Sequence, residues 1–189
     1  MKKKLYGFIS LFIFLFLFLA DFVNAQGDPE DIFSAVWDTT KTGTGSSNTT
    51  NIVLPITGTY LVDWGDGTSN NSVATHTYAT PGTYTINITN TGITGFGFNN
   101  SGDKLKIINI TQWGDLFVGN SNGYFYGCSN MNFIGTDSLD LTGTTDLQNM
   151  FRSASTFNGN ISNRVVNIIV TSSAHHFAPF KKLTMAISI

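Results

Sequence analysis

The chain has 189 residues, a formal net charge of −2 and only 12% charged residues, about half the usual share for soluble proteins. It lacks the basic field that draws in nucleic acid, and a single cysteine, Cys128, excludes an intramolecular disulfide. Thr, Asn, Ser and Gly supply the polarity, a mixture poor in strong helix formers and rich in strand and turn residues, which predicts a mainly β fold.

Residues 1–25 read as a signal peptide: "MKKK" is a cationic start, "LYGFISLFIFLFLFLA" an apolar run, and Val23 and Ala25 fit a cleavage site before Gln26. The run is slightly short for a full span. The expectation is therefore an exported protein, secreted or on the cell surface, with no stable membrane span after cleavage. Residues 26–32 are expected to be a linker.

Strand signals follow. In "IFSAVWDTT", Phe33, Ala35 and Trp37 alternate sides, and "KTGTGSSNTT" is a loop by composition. "NIVLPI" reads as one β-branched run. "TYLVDW" puts Tyr60, Val62 and Trp64 on one face, "GDGTSNN" is a turn cluster, and "SVATHTYA" and "TYTINITN" are two more strands around "TPG". Short strands separated by Gly, Pro and Asn predict a small β-sandwich.

The chemistry-bearing residues gather in "VDWGDGT". Asp66-Gly67 is a strong hairpin signal, and Trp64, just before it, is placed to anchor a core. Asp63 and Asp66 are candidate Ca²⁺ ligands, since carboxylates and turn carbonyls are hard oxygen donors. Only these two are visible locally, and catalysis would need a second acidic group or an oriented base facing them. His76 is a candidate base without a nucleophile or acid at a recognisable spacing, so a hydrogen-bonded structural histidine is the expectation. The cluster reads as a chain turn, with no catalytic residues, cofactor or metal centre expected.

With Trp64, Gly65, Asp66 and Gly67 in the turn, then His76 and Tyr78, then Pro81, Gly82 and Tyr84, the stretch "VDWGDGTSNNSVATHTYATPGTYTINI" resembles the signature of polycystic kidney disease (PKD) domains. The resemblance implies an immunoglobulin-like sandwich over residues 33–91, acting as a spacer or interaction module of exported proteins. Some members of that family bind calcium.

From Gly92 the pattern changes. Phe125-Tyr126-Gly127-Cys128-Ser129-Asn130 aligns with Phe151-Arg152-Ser153-Ala154-Ser155-Thr156 at an offset of 26 residues, within the ~20–29 residues of leucine-rich repeats. Such units bury their apolar residues only against a neighbour. Cys128 reads as a small apolar residue. "YFYGCSNM" and "DLQNMFRSASTFNGNISN" resemble the BspA-like leucine-rich repeat surface proteins of bacteria, with Phe125, Gly127, Cys128, Phe151, Ala154 and Phe157 in the repeat motif. This implies a short leucine-rich-repeat-like β-solenoid over residues 92–163. At Arg164, where the repeat has Trp, the pattern stops. Residues 164–189 read as a divergent tail, or as the sign of a truncated or frame-shifted product, and the adjacent His175 and His176 lack a third metal ligand.

These features predict a non-enzymatic protein for adhesion, binding an extracellular protein or glycan. Trp113, Tyr124, Phe125 and Tyr126 are contact residues if exposed, with core packing as the alternative. The rival readings are an accessory module of a larger exported protein or hydrolase, and a Ca²⁺-stabilised spacer.

Overall fold

A computed structural model describes residues 29–159. The segments expected to be a signal peptide, 1–25, and a divergent tail, 164–189, including His175 and His176, lie outside the described residues.

A 3-10 turn, Pro29–Asp31, leads into β1 (Ile32–Asp38), followed by β2 (Asn51–Val53), β3 (Ile56–Asp63), β4 (Ser69–Asn71), β5 (Thr75–Thr77), β6 (Thr83–Phe96), β7 (Ile107–Gln112) and β8 (Asn132–Phe133). The protein is mainly β. A six-stranded sheet runs β4-β3-β6-β1-β7-β8, and β2 and β5 form a separate two-stranded sheet. The large sheet is mixed: β7 and β8 are parallel, whereas β1 is antiparallel to both β6 and β7.

Period-two alternation explains the inner face. Phe33, Ala35 and Trp37 of β1 are buried between half-buried neighbours. Tyr60 and Val62 of β3, with Trp64 beyond it, and Ile86 and Ile88 of β6 join them in the core. Three local readings are revised. "NIVLPI" is broken at Pro55 between β2 and β3, which lie in different sheets, since proline cannot donate to a ladder. The "GDGTSNN" cluster contains β4, paired to Leu61–Asp63; all three of its residues are exposed, so it shows no alternation. Ile32, within the expected linker, already pairs with Thr89.

The boundary expected between residues 91 and 92 falls inside β6, whose pairing with β3 continues to Phe96. The residues on either side of it share one sheet and one core. Beyond β6 the chain lays successive segments against one another. Phe98 N–H donates to Tyr124 O at 2.8 Å and Asn100 N–H to Tyr126 O at 3.1 Å. The N–H groups of Gly123, Phe125 and Gly127 then donate to the carbonyls of Gln148, Met150 and Arg152 at 3.0, 2.8 and 2.8 Å. A column of rings runs through the same segments. Phe96 and Phe125 lie 5.4 Å apart, Phe125 and Phe151 5.5 Å apart at 8°, and Phe151 and Phe157 4.3 Å apart. Each ring is buried and covers the next.

A buried polar knot closes the long β1–β2 loop over the β6–β7 connection. Lys106 Nζ and Asp103 Oδ1 are 3.3 Å apart and both side chains are fully buried. The carboxylate accepts from Ser47 N–H, Ser47 Oγ and Val53 N–H, each at 2.7 Å. The ammonium donates to the carbonyls of Ser47, Asn48 and Asn51 at 3.1, 2.7 and 2.8 Å and to Ser47 Oγ at 2.7 Å. Burial pushes the lysine pKa down, and the adjacent Asp103 opposes that push. Removing one partner leaves an uncompensated charge in the interior. Asp103→Ala is expected to destabilise the protein by about 3–5 kcal/mol in urea unfolding, and an unchanged midpoint would show that the loop does not depend on the pair.

Candidate functional site

The turn after β3 is built by its own side chains. Asp63 Oδ1 accepts Gly65 N–H at 3.0 Å, and Trp64 N–H donates across the turn to Thr68 O at 3.0 Å. Asp66 Oδ1 accepts both the N–H and the hydroxyl of Thr68, at 3.1 and 2.6 Å. These are local Asx-type bonds of the kind that favour aspartate in turns. Both glycines have positive φ, +76° at Gly65 and +88° at Gly67, but they differ in surroundings. A Cβ on Gly65 would stand 2.3 Å from Thr85 O, while one on Gly67 meets nothing within 4 Å.

Strand β5 brings His76 over this turn. Its Nε2 lies 2.8 Å from Asp66 Oδ2, and its ring stacks on Trp64 at 4.9 Å and 15°. Tyr78 meets His76 edge-on at 4.6 Å, Tyr84 stacks on Tyr78 at 3.7 Å, and Tyr78 Oη donates to Trp64 O at 2.9 Å. The Asn70 amide, oriented to satisfy both neighbours, accepts from Trp64 Nε1 at 3.1 Å. Gly82 exchanges two bonds with the buried Thr39, donating to Oγ1 at 2.8 Å and accepting from its N–H at 2.9 Å, with Pro81 exposed beside it. Residues from Trp64 to Tyr84 therefore form one aromatic and hydrogen-bonded lock between the two sheets.

The electrostatics follow from this packing. Partial burial pushes the Asp66 pKa up, but the hydrogen bonds from Thr68 and His76, together with the attraction of His76, outweigh it and hold the carboxyl at about 2. Burial, reinforced by the charge of Asp66, pushes the Tyr78 phenol up. A catalytic histidine divides its nitrogens between an orienting carboxylate and a nucleophile. Here Asp66 at 2.8 Å and the Thr68 hydroxyl at 3.4 Å both face Nε2, and that hydroxyl already donates to Asp66. Among the described residues, no group of three or more His, Cys, Asp or Glu is placed to hold a metal ion.

The repeat-motif residues lie elsewhere in the molecule. Phe125, Gly127, Cys128, Phe151, Ala154 and Phe157 are all buried. Cys128 N–H donates to Phe125 O and Ala154 N–H to Phe151 O, so the cysteine occupies the same local turn as an alanine. Burial pushes its thiol pKa far up, which keeps it un-ionised and unreactive. Of the aromatic contact candidates, Trp113, Tyr124 and Phe125 are buried and only Tyr126 reaches solvent. Sequence reasoning missed the Asp103–Lys106 knot and a pairing of Arg152 with Tyr126, whose ring centroid lies 5.1 Å from the guanidinium carbon. Their spacings, three residues in one case and 26 in the other, were the available signals.

No family model, curated protein or solved structure matches this chain.

Two predictions follow from the turn. Gly67→Ala is expected to cost about 1–2 kcal/mol, the price of the left-handed backbone, whereas Gly65→Ala adds a backbone collision and should cost on the order of 3 kcal/mol in chemical denaturation; equal costs would refute the close approach to Thr85. Because the Asp66 pKa is lower in the folded chain than in the unfolded one, its stabilising contribution is complete above about pH 4 and is lost as pH falls towards about 2. Between those limits the wild-type melting temperature should fall more steeply than that of Asp66→Asn, and parallel curves would remove Asp66 as an acid-labile element.

Proposed function

We propose that this is a non-enzymatic exported protein whose surfaces bind a protein or glycan outside the cell. In this reading a PKD-like, immunoglobulin-like sandwich is joined to a short BspA-like leucine-rich-repeat segment. The observation that carries it is the use of the motif's reactive groups. Asp63, Asp66, Thr68 and His76 spend their hydrogen bonds on the turn and on one another. Function then rests with surfaces, and the stacked segments supported by the large sheet supply an extended one. The stacking of Phe125 on Phe151 at the 26-residue step, with backbone bonds tying the same two segments together, supports the repeat part of the reading, and the packing of Trp64 on His76 across two sheets supports the sandwich part.

A calcium-stabilised spacer is the competing reading. Asp63 and Asp66 are its ligands in that case, yet each already accepts backbone N–H groups and Asp66 also holds His76, which leaves few of the six or more oxygens that Ca²⁺ takes. The melting temperature is expected to be the same in saturating Ca²⁺ and in EDTA, and a rise with Ca²⁺ would favour the spacer. The binding reading is tested by presenting the folded chain to an array of extracellular-matrix proteins and glycans. Saturable retention of at least one ligand is expected, and retention of none would overturn it.

A further inference from the structure

The described cations are Lys41, Lys104, Lys106 and Arg152, and Lys106 is sealed in the knot with Asp103. Lys104 and Arg152 come from different segments, yet they bracket a single step of the chain, Tyr126–Gly127. Arg152 lies over the Tyr126 ring at 5.1 Å and reaches Asn149 Oδ1 at 3.4 Å. A Cβ on Gly127 would stand 2.7 Å from Lys104 Cδ, so the lysine stem crosses the chain at this glycine, and its Nζ is tethered to Asn100 O at 2.7 Å. Backbone bonds tie the three segments together here, Asn100 to Tyr126 and Gly127 to Arg152. Among the described residues neither cation has a carboxylate within ion-pair distance, and the sequence holds no Asp or Glu after Asp146. In a chain of net negative charge, two pre-positioned cations without a carboxylate partner among the described residues therefore flank the Tyr126–Gly127 step, Arg152 exposed and Lys104 and Tyr126 half-buried.

We infer that the Lys104–Tyr126–Arg152 ridge is a binding site for an anionic glycan, with the guanidinium and ammonium taking its carboxylate or sulfate groups and the surrounding amides its hydroxyls. This deepens the proposed binding function and rests on it. Guanidinium forms paired hydrogen bonds to planar anions, and the tether on each cation lowers the entropy lost on binding. The neighbours favour a sugar over a peptide. Asn100, Asn149 and Ser153 supply amide and hydroxyl groups that suit sugar hydroxyls, and the exposed large apolar side chains among the described residues, Val53, Val73 and Ile134, belong to other parts of the chain.

The full chain is titrated calorimetrically with polygalacturonate, heparin, neutral dextran and poly-glutamate at low and at physiological salt. Saturable, salt-sensitive binding of polygalacturonate or heparin is expected, and whichever binds more tightly identifies the anionic group as carboxylate or sulfate. Lys104→Ala and Arg152→Ala should each weaken that binding on the order of tenfold with unchanged melting temperature, Arg152→Lys should weaken it less, and Lys41→Ala should leave it alone. Equal loss in Lys41→Ala, equal binding of dextran, preference for poly-glutamate or no binding of either anionic glycan would each overturn the inference. If the double variant still retains a ligand from the matrix-protein and glycan array, the ridge fails while the wider binding reading stands.

Discussion

Strand β1 is the constraint on which the rest of the structure depends. It is hydrogen-bonded along both edges, to β6 on one side and β7 on the other, while Phe33, Ala35 and Trp37 face the core. A strand with both edges occupied is a central one, and here it fuses two stretches of chain that differ in pattern. Antiparallel pairing dominates on the β6 side, and on the β7 side the sheet turns parallel at β8. The outermost strands are short, three residues in β4 and two in β8, which limits the unpaired edge offered to other chains.

The low charge content shapes how the polar groups are used. Few charges are present, and several are committed to backbone. Asp103 and Lys106 organise the loop around Ser47–Asn51, Asp66 organises its own turn, and Asp137 Oδ2 accepts the N–H groups of Trp113 and Gly114 at 2.7 and 2.9 Å. Long loops carry many backbone groups that need partners, and a carboxylate satisfies several at once. Against that background Lys104 and Arg152 stand out, since neither has a carboxylate within ion-pair distance among the described residues.

Much of the first half was legible in the sequence because its strands alternate cleanly and its turn residues are chemically committed. The inward faces of Phe33–Trp37 and Tyr60–Trp64 follow from period two alone, and the Asp66-Gly67 turn follows from side-chain chemistry. Where alternation was absent, legibility failed. Strand β4 is polar and exposed throughout, and β6 runs through Asn90–Gly95, where two register shifts in its pairing with β3 disturb the pattern. The partnership of Asp66 with His76 lies between a turn and a strand of the other sheet, so it depends on tertiary packing and no local spacing encodes it. The same holds for Lys106 beyond its pairing with Asp103, since its carbonyl partners are 55 or more residues away. The 26-residue step was visible because the aromatic positions repeat, and the stacked rings of Phe125 and Phe151 lie at that step.

The stacking of Trp64 on His76 gives the protein an internal optical reporter. All three tryptophans are fully buried, yet Trp64 is the one whose indole lies flat against an imidazole. An indole's emission depends on the ring stacked against it, and it changes when the two rings part. The emission of Trp64 therefore registers the integrity of the contact between the two sheets without any attached dye.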